Sequence, residues 1–370
     1  MPHVVNETAR PSLTSLRRRL LAWFDRHRRD LPWRHNRDPY RIWVSEVMLQ
    51  QTTVAAVVPY FDRFMAAFPT LADLAAADEQ AVLKHWAGLG YYRRAKHLHQ
   101  AARLLVAAGG SLPDDPEVWR ALPGVGRYIL GAVLSQAFDR RMPIIEANSL
   151  RVICRLFGQT GDPKSAAVQK WLWQTAEALL PKSRAGDFNQ ALMELGALVC
   201  TPAQPRCSQC PLRCDCVANN AGTQDKIPTK SAPAATSEVR EVAVVIRRGE
   251  KVLLAQRPDD AVRWAGMWEF PRTELKDDEA HERAARRILR SCALKATLGS
   301  ELTTLRYGVT RFQMVLTCFE ANYSGGKFAS AFYQRATWCR PGELTDYPLA
   351  TAVRRLAELL LQESRQRRLF

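Results

Sequence analysis

The stretch CTPAQPRCSQCPLRCDC, residues 200–216, holds five of the chain's nine cysteines. Cys200, Cys207, Cys210 and Cys216 follow the spacing C-x6-C-x2-C-x5-C, with Cys214 as an extra thiol. The remaining four, Cys154, Cys292, Cys318 and Cys339, are scattered. A disulfide framework belongs to small secreted chains, and 370 residues are too many for one. Four thiolates this close can instead wrap a tetrahedral metal ion or a cubane cluster. Zinc sites more often pair two C-x2-C units, and here only one such pair exists. No neighbouring residue offers an open coordination position, so a structural role is expected.

Upstream of the cysteines the chain predicts helices. SLTSLRRRLLAWF puts Leu13, Leu16, Leu20 and Phe24 on one face and arginines on the other. TLADLAAADEQAVLKHWAGLG predicts a helical run from a Thr70 cap to stop signals at Gly88 and Gly90. No strong period-two segment precedes the cysteines. After them, residues 221–237 are polar and rich in Pro, Ser and Thr, which predicts a linker. REVAVVIRRGEKVLLAQR then gives two β-branched runs around a polar turn, a hairpin pattern, and TTLRYGVTRFQMVLTCFEA gives one further strand candidate. ATAVRRLAELLLQE closes as an amphipathic helix. The expected organisation is a mainly α domain over 1–220, the linker, and an α+β domain over 238–370.

Lys and Arg total 53 against 37 Asp and Glu, a net charge of +16 and a sequence pI near 9.7. That balance points to a polyanionic partner, nucleic acid ahead of membrane, since no basic amphipathic helix dominates. No apolar run approaches the ~18 residues of a membrane span, and a soluble intracellular (cytoplasmic) protein is expected.

LPGVGRYIL, residues 122–130, brackets Val125 with Gly124 and Gly126 just ahead of a helix. Such a turn can offer backbone N–H groups and a helix N-terminus to a phosphate. With the cysteine spacing it resembles the helix–hairpin–helix and 4Fe-4S loop of the endonuclease III superfamily of DNA glycosylases. Bifunctional members carry a lysine at the position of Tyr128, where its amine attacks the sugar. A phenol cannot form that imine, so a monofunctional, water-using glycosylase is implied.

DLPWRHNRDPYRIWVSEVMLQQTTV (30–54), GLGYYRRA (88–95), FNQALMELGALVC (188–200) and WAGMWEFP (264–271) closely resemble the adenine DNA glycosylases, the MutY family. The resemblance spans nearly the whole chain and implies removal of adenine mispaired with 8-oxoguanine or guanine in double-stranded DNA, by a monomer carrying a 4Fe-4S cluster on Cys200, Cys207, Cys210 and Cys216. Glu46 lies among Trp43, Val44, Val47 and Met48, apolar neighbours that disfavour its ionisation. By resemblance it protonates the leaving base at N7. The family reads D-G-N-V after the hairpin where this chain reads EANSLRV (146–152), so Glu146 stands for aspartate and Ala147 for glycine. The charge expected to steady the oxocarbenium-like sugar survives on a stem one methylene longer. Asn148 with Tyr128 is expected to orient water.

Trp33, Arg34, Leu49, Val54 and Gln190 match positions lining the adenine pocket, although Trp33 and Leu49 suit a core equally well. Gln50, Gln51, Tyr91, Leu122, Gly124, Val125 and Gly126 match DNA-contacting positions, with Gln51 and Tyr91 as wedge candidates. Thr53 departs from the glutamine of many relatives. The C-terminal domain resembles the Nudix-like module that reads 8-oxoguanine, but its helix lacks the glutamate run that holds magnesium, which argues against pyrophosphate hydrolysis. Val309, Thr310 and Arg311 align with the lesion-touching triplet of its strand, arginine replacing histidine. The rival implications are an endonuclease III-like lyase and a non-catalytic lesion-binding homologue.

Overall fold

The computed structural model describes residues 12–229 and 236–366, so linker residues 230–235 lie outside the described residues. The helices are α1 (Leu13–His27), α2 (Pro39–Leu49), α3 (Val54–Ala67), α4 (Leu71–Ala76), α5 (Glu79–Trp86), α6 (Arg93–Ala107), α7 (Pro116–Arg120), α8 (Arg127–Phe138), α9 (Ala147–Phe157), α10 (Ala166–Leu179), α11 (Ala185–Leu198) and α12 (Val217–Asn220). The strands follow: β1 (Ser237–Arg248), β2 (Lys251–Gln256), β3 (Trp268–Glu269), β4 (Arg272–Glu274), β5 (Leu294–Val309), β6 (Phe312–Gly326) and β7 (Arg335–Cys339), with α13 (His281–Ser291) between β4 and β5 and α14 (Thr351–Gln366) last. No strand precedes β1 among the described residues.

The chain forms two compact units. One contains the described residues up to Ala72 and those from Gln100 to the linker; the other joins Asp73–His99 to the described residues after the linker. In the first, α11 packs against α1, α8 and α9, and α2 packs against α8. Leu16, Leu20 and Phe24 of α1 sink into this core with Ile153, Leu172, Phe188 and Leu192, as the heptad-like spacing predicts, while Leu13 at the helix start is 37% exposed. The predicted run from Thr70 to Gly88 is two helices, not one. Asp78, in extended backbone, accepts from the Gln80 N–H at 3.2 Å and restarts the helix as its N-cap.

In the second unit the sheet runs β3-β2-β1-β6-β5, with β4 paired to β1 and β7 to β2; β1 and β6 are parallel and the other pairs antiparallel. Its core gathers Val242, Val244, Ile246 and Leu253 against Ala284, Ala285 and Ile288 of α13. The hairpin expected at RRGE forms, with Arg248 opposite Lys251. The single strand expected over residues 303–321 is instead two strands, β5 and β6, folded back at Thr310 and Arg311. The helical segment 73–99 is tied to the same unit by polar contacts. Gln80 accepts from the Trp268 indole N–H at 3.0 Å and donates to the Gly266 carbonyl, and Arg354 donates to the Ala87 carbonyl at 3.0 Å.

Candidate active site

Pro39 at the first turn and the Asp38 carboxylate, which accepts from the Tyr40 N–H at 2.9 Å, start α2. Every residue from Ile42 to Met48 is buried, so Glu46 enters the protein on a helix with no solvent-facing stripe there; it is 2% exposed. Its Oε2 accepts from the Tyr128 hydroxyl at 2.5 Å, and its Oε1 accepts from the Gln136 side-chain amide at 2.7 Å. Burial drives the Glu46 pKa upward. The two donors and the charge of Arg34 oppose that rise, while the charge of Glu146 adds to it. The Tyr128 phenol is pushed well above its ordinary value by burial and by the charges of Glu46 and Glu146, so it stays a neutral hydroxyl.

Glu146 meets a different environment. It is the N-cap of α9, and its carboxylate accepts from the Ser149 N–H at 2.6 Å, the Asn148 N–H at 2.8 Å and the Asn148 side-chain amide at 3.1 Å. The Ser149 hydroxyl accepts in return from the Glu146 N–H at 2.9 Å, closing a capping box. The extra methylene is thus taken up by folding back onto the helix start. Ala147 is the first helical residue and has no positive φ, so the family's glycine is not needed for backbone conformation here. α11 holds this turn in place at Gly196, where a Cβ would stand 2.6 Å from the Asn148 Cβ and 2.8 Å from its carbonyl oxygen. Asn148 spends its amide on Glu146 and its carbonyl on Arg151 at 2.8 Å, and no hydrogen bond joins it to Tyr128 among the described residues.

Of the adenine-pocket candidates, Trp33 is 3% exposed and packs edge-on against Phe61, with ring centroids 5.3 Å apart. Arg34 donates to Glu194 at 3.0 Å, and Arg29 makes a two-pronged pair with the same carboxylate at 2.8 and 2.9 Å. Burial alone would raise the Glu194 pKa, but the two guanidiniums hold it at about 2. Leu49 ends α2, Val54 begins α3, and Gln190 lies on α11, all three partly buried. Thr53 acts as the N-cap of α3, accepting from the Ala56 N–H at 3.4 Å.

The DNA-contact candidates share backbone features. Gln50 is the C-cap of α2. Gln51 (φ 58°) and Tyr91 (φ 49°) both hold the left-handed conformation and both are exposed, Tyr91 by 41%. Neither residue type favours that region, which costs about 1–3 kcal/mol and recurs at functional sites. In the turn before α8, Leu122 is buried and its carbonyl accepts from the Val125 N–H. Gly124 is left-handed at φ 77°, whereas Gly126 is the extended N-cap of α8, and a Cβ there would meet nothing within 4 Å. Gly126 is therefore required neither by conformation nor by protein packing.

Val309, Thr310 and Arg311 do not lie along one strand. Val309 ends β5 opposite Phe312, and Thr310 (φ 52°) and Arg311 form the exposed two-residue turn. Arg311 lies over the Phe312 ring at 5.1 Å.

Cys200 follows α11, Cys207 opens and Cys210 closes a short 3-10 turn, and Cys216 caps α12; all four are partly buried and free, while Cys214 is exposed. Among the described residues no three His, Cys, Asp or Glu side chains stand in metal-holding geometry. The donor chemistry nonetheless fits a soft, thiolate-bound group. Burial pushes the Cys210 thiol up to about 12 and raises Cys207 and Cys216 as well, so thiolates at these positions call for a cationic centre. Arg155 clasps the loop, with Nη1 3.4 Å from the Cys200 sulfur and 2.7 Å from the Thr201 carbonyl oxygen. Arg151, one turn earlier on α9, bonds the Cys200 carbonyl at 2.7 Å as well as Asn148. Gln136, Glu194, Arg151 and Arg155 were not singled out from the sequence. Only the fold shows which of many glutamines, glutamates and arginines face the site.

The fold and this pair of carboxylates define a helix–hairpin–helix repair protein with an appended Nudix-like domain. Residues 44–178 match the HhH-GPD superfamily of base excision DNA repair proteins, and residues 241–359 match the NUDIX domain family. Rat adenine DNA glycosylase is 33% identical over 96% of this chain and 79% of its own length; the mouse enzyme is 38% identical over 76% of this chain and 65% of its own. A thermostable thymine-DNA glycosylase of known structure superposes with a TM-score of 0.52 at 32% identity, covering 56% of this chain and 97% of that one. The chain belongs to the adenine DNA glycosylase family. It spans just under two thirds of the length of the mouse relative. No helix among the described residues is long and apolar enough to cross a membrane.

Proposed function

We propose that this protein is a monofunctional adenine DNA glycosylase of base excision repair. It acts as a monomer inside the cell on double-stranded DNA in which adenine is mispaired with 8-oxoguanine or guanine. The observation that carries this reading is Glu46, buried and held between Tyr128 and Gln136, with its pKa pushed up by burial. A neutral carboxyl in that niche can hand its proton to N7 of an extruded adenine and weaken the bond to the sugar. Glu146, its carboxylate fixed by N–H donors at the start of α9, steadies the positive charge that develops on the sugar. Water, oriented by Tyr128 and by the remaining amide N–H of Asn148, then adds to the sugar, and the proton it loses returns to the Glu46 carboxylate. Because the residue at 128 is a phenol, no imine forms and the strand is left uncut.

The sandwiching of adenine falls to Trp33, Leu49 and Val54, with Arg34 and Gln190 reading its edge. Gln51 and Tyr91 enter the duplex where the base departs, the N–H groups around Gly124 and Gly126 hold a phosphate, and the Val309–Arg311 turn contacts the lesion. The division of labour is a glycosylase domain over 1–220, a linker over 221–237 and a lesion-reading domain over 238–370. Cys200, Cys207, Cys210 and Cys216 hold a 4Fe-4S cluster, which supplies a rigid crosslink rather than reaction chemistry.

The test is base release from duplexes carrying A:8-oxoguanine, A:G or A:T, with alkali added only after the reaction is stopped. Free adenine from the first two, with strand breaks appearing only after alkali, is the expected result. A borohydride-trapped adduct, or binding with no adenine released, would overturn the reading.

A further inference from the structure

The mechanism above uses Glu46 as an acid but leaves open which of its two oxygens bears the proton. Gln136 lies eight positions beyond Tyr128 on α8 and is 7% exposed. Its amide nitrogen is 2.7 Å from Glu46 Oε1, while the Tyr128 hydroxyl is 2.5 Å from Oε2. We infer that Gln136 is a positioning residue that assigns the acidic proton to one oxygen of Glu46, a step resting on the glycosylase reading of the site.

In a neutral carboxyl the carbonyl oxygen is a much better acceptor than the hydroxyl oxygen, so Oε1, which receives the Gln136 N–H, keeps carbonyl character and the hydroxyl is Oε2. An amide aimed the other way would accept from Oε1 and draw the proton away from Tyr128. With the proton on Oε2, that oxygen becomes a poorer acceptor for the Tyr128 hydroxyl. The Met193 sulfur, 3.6 Å from the hydroxyl, is a weak acceptor to which it can turn. When Oε2 gives its proton to the base, the carboxylate that remains accepts from Gln136 at Oε1 and from Tyr128 at Oε2, the arrangement seen in the structure. One O–H bond breaks, one N–H bond forms on the base, and the phenol keeps its own hydrogen throughout.

The charged and titratable groups acting on Glu46 are few: Tyr128 from α8, Arg34 from the turn before α2, and Glu146 from the start of α9. Beside them Gln136 acts through its hydrogen bond alone. As a donor to the carboxylate it favours the charged form, so its removal should move Glu46's titration to higher pH.

The test is Gln136→Met, close in volume but without an amide, in the full-length holoprotein. Two readings are taken. The first is the pH titration of the protonated-carboxyl band in infrared difference spectra of the free protein, with Glu46→Gln identifying the band. The second is the pH profile of adenine release in a single turnover. The expected result is that both midpoints rise by about one pH unit, as loss of one charge-assisted hydrogen bond implies. Gln136→Glu, which keeps the length but adds a second carboxyl beside Glu46, should raise the midpoint at least as far. Midpoints unchanged in Gln136→Met overturn the inference, whatever happens to the rate. The infrared reading needs no substrate, so a band that shifts in Gln136→Met while the wild-type protein releases no adenine condemns the glycosylase reading alone.

Discussion

Glu46 and Glu146 carry the same functional group into opposite surroundings. Glu46 sits mid-helix among apolar side chains with two side-chain donors; Glu146 sits at a helix start with three N–H donors, two of them backbone. Desolvation dominates the first and favours its neutral form. The second caps the start of α9, its oxygens facing N–H groups rather than apolar side chains. Environment, more than residue type, separates the acid from the electrostatic partner. A third carboxylate sharpens the contrast: Glu194 is fully buried yet ionised, because Arg29 and Arg34 both grip it.

Replacing the group in the apolar niche should have the largest consequence. Glu46→Gln keeps the shape and loses the proton, and adenine release in a single turnover should fall at least about 10³-fold while duplex affinity, measured by fluorescence anisotropy, is kept. A variant of wild-type rate would remove the distinction between the two carboxylates.

Next comes the paired carboxylate. The Glu194 pKa is held at about 2 against an ordinary 4.5, so its contribution to stability is full above about pH 4.5 and is lost as pH falls through about 2. Glu194→Gln should cost about 3 kcal/mol at neutral pH and flatten that acid limb, read by urea unfolding across pH. The sign is reversed for Glu46. Its raised pKa means that the neutral form, and the stability that goes with it, is fully present at low pH and is lost as pH rises through the folded value.

At the helix start, Glu146→Gln removes the charge but keeps a capping oxygen, and base release should drop about 10²-fold with little change in melting. Glu146→Asp should stay within about tenfold of wild type, since either carboxylate can accept from the same N–H groups. If Glu146→Gln were as active as wild type, the anion would have no part in the reaction. The smallest expected effect is mechanical. Gly196→Ala pushes a methyl into Asn148 and should cost about 2 kcal/mol in denaturant unfolding, slowing base release through displacement of the Glu146 turn.

Legibility in the sequence follows physical range. The Glu46 niche was readable because its neighbours along α2 are apolar, and the phenol at 128 because it abuts a glycine turn. The cap made by Glu146 is also local, yet its folded-back geometry was not foreseen, since a glutamate stem has several ways to reach the same N–H groups. The hairpin at Thr310–Arg311 is not legible because threonine does not announce the positive φ it adopts there, and the left-handed backbones of Gln51 and Tyr91 are hidden for the same reason. Gln136 and the Arg29–Glu194–Arg34 cluster depend on contacts between segments separated by 90, 165 and 160 positions, which no periodicity encodes. The restart of the helix at Asp78 is a local signal, one capping carboxylate inside an alanine-rich run.

The most direct test of a buried neutral acid beside a pinned anion is the pH dependence of adenine release in a single turnover on an A:8-oxoguanine duplex, wild type against Glu46→Gln. The account predicts that the wild-type rate falls as pH rises through the elevated pKa of Glu46, and that the variant's residual rate shows no such fall. A wild-type rate that climbs with pH through the same range, or a variant with the same falling limb, would contradict it.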